Sequence, residues 1–271
     1  MNHIAIIMSI YSKDDINHFK IAMESLFSQS YSVDIFLYID GFIDRNKIAL
    51  IERYKQRDNV YVIHSEKNLG LAFGLNTLID NIIKHEKKYK YIARMDSDDI
   101  SHPSRIEKQI NYLERNQSIS VLGTFCKEFG SSFALDIKKL PLEHEEITKF
   151  SIIRSPLVHP TVMFRSEIFH KGFRYPLNTN FTEDMAFWFI LIKSGYKFSN
   201  LNEVLLDYRL NEDTVSRRKG LKKSISEIKL RFKYMFLLKQ TNLKNITFIL
   251  SRLLFHSLPA PILKYLYARF R

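Results

Sequence analysis

Through the first hundred residues, short apolar β-branched runs alternate with longer stretches whose apolar positions recur every three or four residues. The runs at 3–10, 33–39, 60–64 and 90–95 have strand length, and helical period marks Asp15 to Ser28, Arg45 to Gln56 and Leu69 to His85. In the first of these helices Ile16, Phe19, Ala22, Met23, Leu26 and Phe27 form one face, with Asp14 or Asp15 as its cap. Strand–helix alternation of this kind predicts an α/β fold on a parallel sheet, and such sheets bind ligands beyond the carboxyl ends of their strands. The residues at those ends are Ser9 and Tyr11, Asp40 and Gly41, His64 to Gly70, and Asp96 to Asp99. Further on, His102-Pro103 opens a helix to about Asn116, and Ser120 to Phe129 reads as a strand. Val158 to Phe164 reads as another, Thr182 caps a helix to Lys193, and Glu203 to Leu210 makes a final strand.

Composition narrows the class. With 271 residues, 45% hydrophobic and 26% charged, and only 8 Gly and 7 Pro, the chain is globular rather than disordered or collagenous. Cys126 is the sole cysteine and the nine histidines have no zinc-type spacing, which removes a disulfide scaffold and a structural zinc site. The opening MNHIAIIMSIYSKDD lacks a basic stretch and a cleavage site, so a cytoplasmic location is expected. The most apolar window, Phe248 to Leu263, is interrupted by Arg252, His256, Pro259 and Pro261, too broken for a membrane span.

Charge divides the chain unevenly. From Arg217 to Arg271 there are 14 Lys and Arg against one acid, Glu227, whereas 1–216 holds 27 bases and 28 acids. The division implies a near-neutral domain at 1–216 and a basic appendage at 217–271 whose partner is anionic. In the appendage Ile225, Ile228, Phe232 and Met235, then Ile246, Ile249, Leu250 and Leu253, fall on helical stripes, with Lys229 and Lys233 off the first. Lys264 to Arg271 adds Tyr265, Tyr267 and Phe270 among bases. Two readings stand: amphipathic helices lying in an anionic headgroup layer, or stripes packed on the body with solvated lysines.

The densest chemical signal is Asp96-Ser97-Asp98-Asp99 at the end of an apolar strand. Three carboxylates in four residues repel one another, and a hard divalent cation shared with a substrate diphosphate would neutralise them. The alternative is an acidic turn with Asp99 or Ser101 capping the helix that begins at Pro103.

The order of motifs bears on that choice. Ser9-Ile10-Tyr11, Asp40-Gly41, Asn68-Leu69-Gly70, Arg94-Met95-Asp96-Ser97-Asp98-Asp99 through Pro103 and Arg105, His159-Pro160, and Thr182-Glu183-Asp184 followed by Trp188 resemble the family 2 glycosyltransferases of the GT-A fold. The likeness spans about 3–210 and is greatest to bacterial enzymes that extend a lipid-pyrophosphate-linked sugar in O-antigen or capsule synthesis. The resemblance implies a Rossmann-like, mostly parallel sheet with flanking helices. It implies that Ser9, Tyr11, Asp40, Asn68, Gly70, Arg94 and Asp96 bind the nucleotide-sugar, with Tyr11 on the uracil and Asp40 accepting its imide N–H. Asp98, with Asp96, would hold Mn²⁺ or Mg²⁺. Asp184, paired with Glu183, would be the general base of an inverting transfer, and His159 and Trp188 would face the acceptor. The chain departs from the family at Ser9, Ser12, Leu75 and Asn211, where Pro, Asn, Arg and His are usual.

These implications amount to a metal-dependent hexosyltransferase using a UDP-hexose and a polyprenyl-pyrophosphate-linked sugar. Its basic tail would hold it peripherally on the inner face of the cytoplasmic membrane. A lipooligosaccharide or soluble glycan is the alternative acceptor. A sugar-phosphate nucleotidyltransferase would open with a Gly-rich basic loop that MSIYSKDD lacks. A nucleic-acid binder built on the tail is the non-enzymatic alternative, but the aromatics there recur at helical rather than platform spacing, and no nucleic-acid partner is expected.

Overall fold

The computed structural model describes residues 3–179, 182–212 and 221–257. The basic stretches at 217–220 and 264–271, and the side chains of Lys222, Lys223 and Leu253, lie outside the described residues. The first half follows the predicted alternation: β1 (His3–Tyr11), α1 (Ile16–Phe27), β2 (Asp34–Asp40), α2 (Arg45–Lys55), β3 (Val60–Ser65), α3 (Leu71–Lys84) and β4 (Tyr89–Arg94). There follow β5 (Ile100–Ser101), α4 (Arg105–Arg115), β6 (Ile119–Phe129) and α5 (His144–Ser151). A short 3₁₀ turn (His159–Thr161), β7 (Met163–Arg165), α6 (Glu167–His170), α7 (Glu183–Lys193) and β8 (Lys197–Arg209) complete the body. Two further helices come after it, α8 (Leu221–Leu237) and α9 (Leu243–Ser257).

The strands form one sheet in the order β3-β2-β1-β4-β7-β6-β8-β5. Its first four are parallel, β7 is antiparallel to both neighbours, and β6 and β8 are again parallel. The fold is thus a mixed α/β sheet, mostly parallel, with helices on both faces. β1 displays the reason in miniature. Its pleat sends Ile4, Ile6, Met8 and Ile10 toward Phe19, Met23 and Leu26 of α1, and Ala5 and Ile7 toward Leu75, Leu78, Ile79 and Ile82 of α3. A strand apolar on both sides is buried on both faces. Each large aliphatic side chain of α3 contributes roughly 1.5–3 kcal/mol by leaving water. Close approach of α3 to β2 depends on Gly74, where a Cβ would lie 2.5 Å from Cδ1 of Tyr38.

Three expectations need correction. Residues 158–164 do not form one strand: Pro160 sets a 3₁₀ turn, and only Met163–Arg165 pairs with β4 and β6. The last strand begins at Lys197, six residues earlier than its apolar pattern, because register shifts along its pairing with β6 break the alternation. Neither Asp99 nor Ser101 caps α4, whose cap position is Ser104.

The tail stripes pack on the body. Met235 and Ile249 are buried with Ile152, Met185 and Phe189, and Ile228, Phe232 and Ile246 are partly buried against them. The Tyr234 ring stacks on Phe189 at 4.7 Å between centroids. The second reading of the stripes therefore describes these residues, although Ile225 and Leu250 remain exposed. The lone acid of the tail secures the arrangement. Glu227 accepts from Arg231 at 2.9 Å and from Arg252 at 2.8 Å. Those guanidiniums also donate to the carbonyls of Ser151, Ile152 and Ile153, closing the carboxyl end of α5. Burial lowers the Arg231 pKa to about 10, with the Arg252 charge adding to the effect. Glu227→Ala leaves two guanidiniums without their counter-ion, so it is expected to destabilise the protein by about 3 kcal/mol in urea unfolding. Glu227→Gln should cost less.

Candidate active site

The carboxyl ends of β1, β2, β3 and β4 converge on one polar region, and backbone requirements shape its donor side. Gly41 follows β2 at φ +85°, and a Cβ there would meet the Asn68 amide nitrogen at 2.8 Å, so only glycine fits. Asp40 is buried, and its two oxygens accept from the amides of Leu69 at 2.7 Å and Gly70 at 3.0 Å, holding the loop that opens α3. Asn68 Nδ2 donates to the Asp40 carbonyl at 3.3 Å. Each Asp40 oxygen retains a second lone pair for a ligand N–H. Half-buried Tyr11 lies directly across from Asp40 in the β1–β2 register, and half-buried Ser9 lies across from Tyr38.

The acidic turn after β4 is more crowded than its sequence implies. Carboxylate oxygens of Asp96, Asp98 and Asp99 lie within 4.8 Å of one another. A fourth acid, Asp14, joins them: it accepts from the Ser97 hydroxyl at 2.9 Å and the Tyr11 amide at 3.0 Å. The Asp14-Asp15 pair is therefore divided, since Asp15 is the α1 cap, bonded to the amides of Asn17 and His18. Burial, opposed by its hydrogen bonds and reinforced by the Asp96 charge, pushes Asp14 up to about 6. Burial and then the charges of Asp96 and Asp14 push Asp98 up to about 7. Fully buried Asp99 is held well above the usual carboxylate range by burial and by Asp96 and Asp98.

Three arginines hold this turn in place. Arg94, 2% exposed, pairs with Asp96. Buried Arg105 donates to the Arg94 carbonyl at 2.7 Å, giving the arginine after Pro103 its role as the support beneath the turn. Arg209, at the end of β8, donates its backbone N–H to Asp99 Oδ1 and its Nε to the Asp98 carbonyl, both at 2.8 Å. Asp99 Oδ2 and the Nε and Nη1 of Arg94 are buried with no hydrogen-bond partner among the described residues. Clustered hard oxygens, an unpaired buried carboxylate oxygen and mutual repulsion suit a divalent cation ligated by oxygen.

Arg94 also links this turn to the acceptor side. His159 Nε2 and the Tyr175 hydroxyl are 2.9 Å apart. Burial, then the Arg94 charge, holds His159 well below its ordinary pKa, so its imidazole is neutral. The charges of Arg94, Asp184, Glu183 and Asp96 all reach the buried Tyr175 phenol. Glu183 and Asp184 form the first turn of α7 and are half-buried. Thr182 stands at the cap position but makes no capping hydrogen bond. Contacts and register thus connect Asp96, Asp98 and Arg94, through Asp14 and Tyr11, with Asp40, Asn68 and Gly70. The charges of Arg94, Asp96, Glu183 and Asp184 meet at Tyr175, which is bonded to His159, and Ser9 stands two residues before Tyr11 on β1.

Trp188 reaches this group only from behind. Fully buried, it meets the His159 ring edge-on at 5.7 Å between centroids and packs on Phe164, Phe187 and Phe198, so it supports His159 from the core and does not itself face an acceptor. Sequence reasoning missed Asp14, Tyr175 and Arg209. The paired acids at 14 and 15 were a usable signal for the first, but the other two meet their partners only through the fold.

An α/β sheet of this order, with a clustered acidic turn closing β4 and a carboxylate pair opening a helix opposite, is the architecture of a GT-A glycosyltransferase. The family described as Glycosyl transferase family 2 matches residues 5–181, and the chain belongs to that family. It is 29% identical over 269 residues to the amylovoran biosynthesis glycosyltransferase AmsE of Erwinia amylovora, covering 98% of each chain. It is also 29% identical over 272 residues to the Escherichia coli UDP-Gal:alpha-D-GlcNAc-diphosphoundecaprenol beta-1,3-galactosyltransferase, covering 98% of this chain and 95% of that one. Among solved structures, S. aureus TarS 1-349 in complex with UDP-GlcNAc superposes with a TM-score of 0.67 at 14% identity, covering 94% of this chain and 72% of that one.

The raised carboxyls make a stability prediction for metal-free protein. A carboxyl whose folded pKa exceeds its unfolded value stabilises the fold fully below the unfolded pKa, and that contribution is lost as pH rises through the folded one. For Asp98 the window runs from 3.8 to about 7. In EDTA at pH 8, Asp98→Asn should therefore raise the unfolding midpoint above wild type, and the gain should shrink toward pH 4.

Proposed function

We propose that this glycosyltransferase moves a hexose from a UDP-hexose to a sugar carried on a polyprenyl diphosphate, inverting the anomeric carbon, in bacterial surface polysaccharide synthesis. The observation that carries the reading is the cluster of Asp96, Asp98 and Asp99, tied through Ser97 and Asp14 to Tyr11, which lies across from the loop-anchoring Asp40; a diphosphate-neutralising centre would then adjoin a nucleoside pocket. The names of the two relatives, one a polysaccharide enzyme and the other acting on a lipid diphosphate, support the choice of acceptor.

Tyr11 and Asp40 would take the uracil, by ring packing and by accepting its N–H, while Asn68 and Gly70 let backbone approach the same nucleotide. Asp98 and Asp96 would hold Mn²⁺ or Mg²⁺, which when bound would neutralise the diphosphate leaving group. Arg94 fixes Asp96. Asp184, with Glu183 beside it, would take the proton from the attacking acceptor hydroxyl, and with no second carboxylate acting as nucleophile the transfer inverts. His159, neutral and bonded to Tyr175, would line the acceptor side.

We assign 1–216 to transfer and 217–271 to membrane contact. No helix among the described residues is long and apolar enough to cross a membrane. The inner face of the tail packs on α7, while Phe236, Leu243, Phe248 and Leu250 are exposed at 61%, 77%, 42% and 47%. Exposed apolar side chains on helices that also carry Lys229, Lys233 and Lys244 suit the headgroup layer of an anionic leaflet.

Two measurements test the reading. UDP-sugars are screened with Mn²⁺ or Mg²⁺ against a synthetic sugar-diphosphate-lipid, a lipooligosaccharide and a soluble glycan, with product followed by mass. Transfer should require the lipid diphosphate, and Asp184→Asn should lose on the order of 10² to 10⁴ in rate while keeping UDP affinity; wild-type turnover by that variant would place the base elsewhere. Separately, the triple change Phe236→Ser, Leu243→Ser and Phe248→Ser should release the protein from phosphatidylglycerol vesicles at low salt. Retention equal to wild type would contradict the membrane assignment.

A further inference from the structure

A groove of about 300 Å³ runs between α7 and α8, apart from the carboxylate cluster. Thr182, Ala186 and Ile190 line it at i, i+4 and i+8 along α7. Facing them, Lys229, Leu230, Lys233 and Tyr234 share one face of α8 by the same helical spacing. The lining mixes these apolar side chains with the polar ones of Asn178, Thr179 and Ser226 and the two lysines, and holds no acid. Neither Lys229 nor Lys233 makes an ion pair with another described residue.

Two features point to an anionic occupant. Thr182 is 5% exposed, and its hydroxyl has no hydrogen-bond partner among the described residues. A buried hydroxyl is not left so without cost unless a ligand or water meets it. The second is the pair of ammonium groups, Lys229 and Lys233, which supply positive charge beside the amino end of α7, where Glu183 and Asp184 already answer the helix dipole. Glu183 and Asp184, the proposed base pair, follow Thr182 directly in the chain, so an acceptor anchored in the groove would carry its sugar beside them. A purely lipid occupant would leave the lysines and Thr182 unused, and a free diphosphate would leave Ala186, Ile190 and Leu230 unused. A volume of about 300 Å³ lies at the small end of ligand sites, enough for a diphosphate and the first part of a chain but not for a whole polyprenyl tail.

We propose that the α7–α8 groove binds the lipid-diphosphate end of the acceptor, with Lys229 and Lys233 on the phosphates and Ala186, Ile190 and Leu230 against the first isoprenoid unit. The inference rests on the lipid-diphosphate acceptor reading. It adds a site lined by none of the donor-side residues and separates the acceptor's anchor from the face of the tail that meets the membrane.

The probe is farnesyl diphosphate, titrated into the full chain by calorimetry in EDTA so that a metal-bridged diphosphate at Asp96 to Asp99 does not contribute. Wild type should bind it more tightly than farnesol or inorganic pyrophosphate. The double variant Lys229→Gln, Lys233→Gln should bind it on the order of 10-fold or more weakly, the loss of two charge-assisted contacts. Both positions are exposed, so the thermal midpoint of the variant should match wild type, as should its UDP affinity with Mn²⁺. Equal affinity in variant and wild type, or no preference over farnesol, overturns the proposal. So does a variant that loses phosphatidylglycerol vesicles yet keeps farnesyl diphosphate, since the lysines would then serve the membrane. Failure of every UDP-sugar in the transfer screen would remove the donor reading and leave this binding result standing.

Discussion

Mutual repulsion among the carboxylates after β4 is the constraint around which the catalytic half is built. Asp96, Asp98 and Asp99 crowd within 4.8 Å, and Asp14 comes in from the β1–α1 loop through the hydroxyl of Ser97. Left alone such a turn would spread. It is held by Arg94 paired to Asp96, by Arg105 beneath the Arg94 carbonyl, and by Arg209 reaching back from the end of β8. The short β5–β8 pairing completes the restraint by tying Ile100 and Ser101 to Asp207 and Leu206. The sheet thus curls round until its last long strand closes on the acidic turn, and the stability of the fold is spent holding clustered negative charge where the proposed cation and diphosphate would use it.

The tail is organised by a second charge cluster of opposite character. Here one carboxylate, Glu227, gathers two guanidiniums, and these in turn satisfy the last carbonyls of α5. The contacts bring α8 onto α7, the helix that carries Glu183 and Asp184, through Phe189 and Tyr234. A basic appendage that looks separate by composition therefore forms one wall beside the proposed acceptor. Its two faces differ: the inner is core, and the outer offers apolar and cationic side chains to solvent.

Much of this was legible in the sequence where the determinants are local. Strand and helix periods over the first hundred residues located β1 to β4 and α1 to α3 to within a residue or two, because apolar alternation and caps act within one element. The acidic turn, Asp40-Gly41 and Asn68 to Gly70 were found for the same reason, as strand-end polar groups. What escaped depended on distant chain meeting. Arg209 acts on residues 110 and 111 positions away, and the Tyr175 hydroxyl meets His159 only after the chain has passed through β7 and α6. Trp188 was misjudged because α7 is apolar nearly all round, and a helix of that kind is buried on every side and hides its tryptophan in the core. The tail stripes were seen, but charge alone could not say which surface they cover.

The most direct test of the central claim is the proton balance of metal binding. Mn²⁺ is titrated into the protein at pH 6.5 by calorimetry in two buffers of different ionisation enthalpy, for wild type and Asp98→Asn. A site whose carboxyls are raised by burial and repulsion should bind one ion and release on the order of one proton to the buffer. The variant should release fewer. Binding without proton release, or release undiminished in Asp98→Asn, would mean that the acidic turn is not the place where the protein's stored repulsion is relieved by a cation.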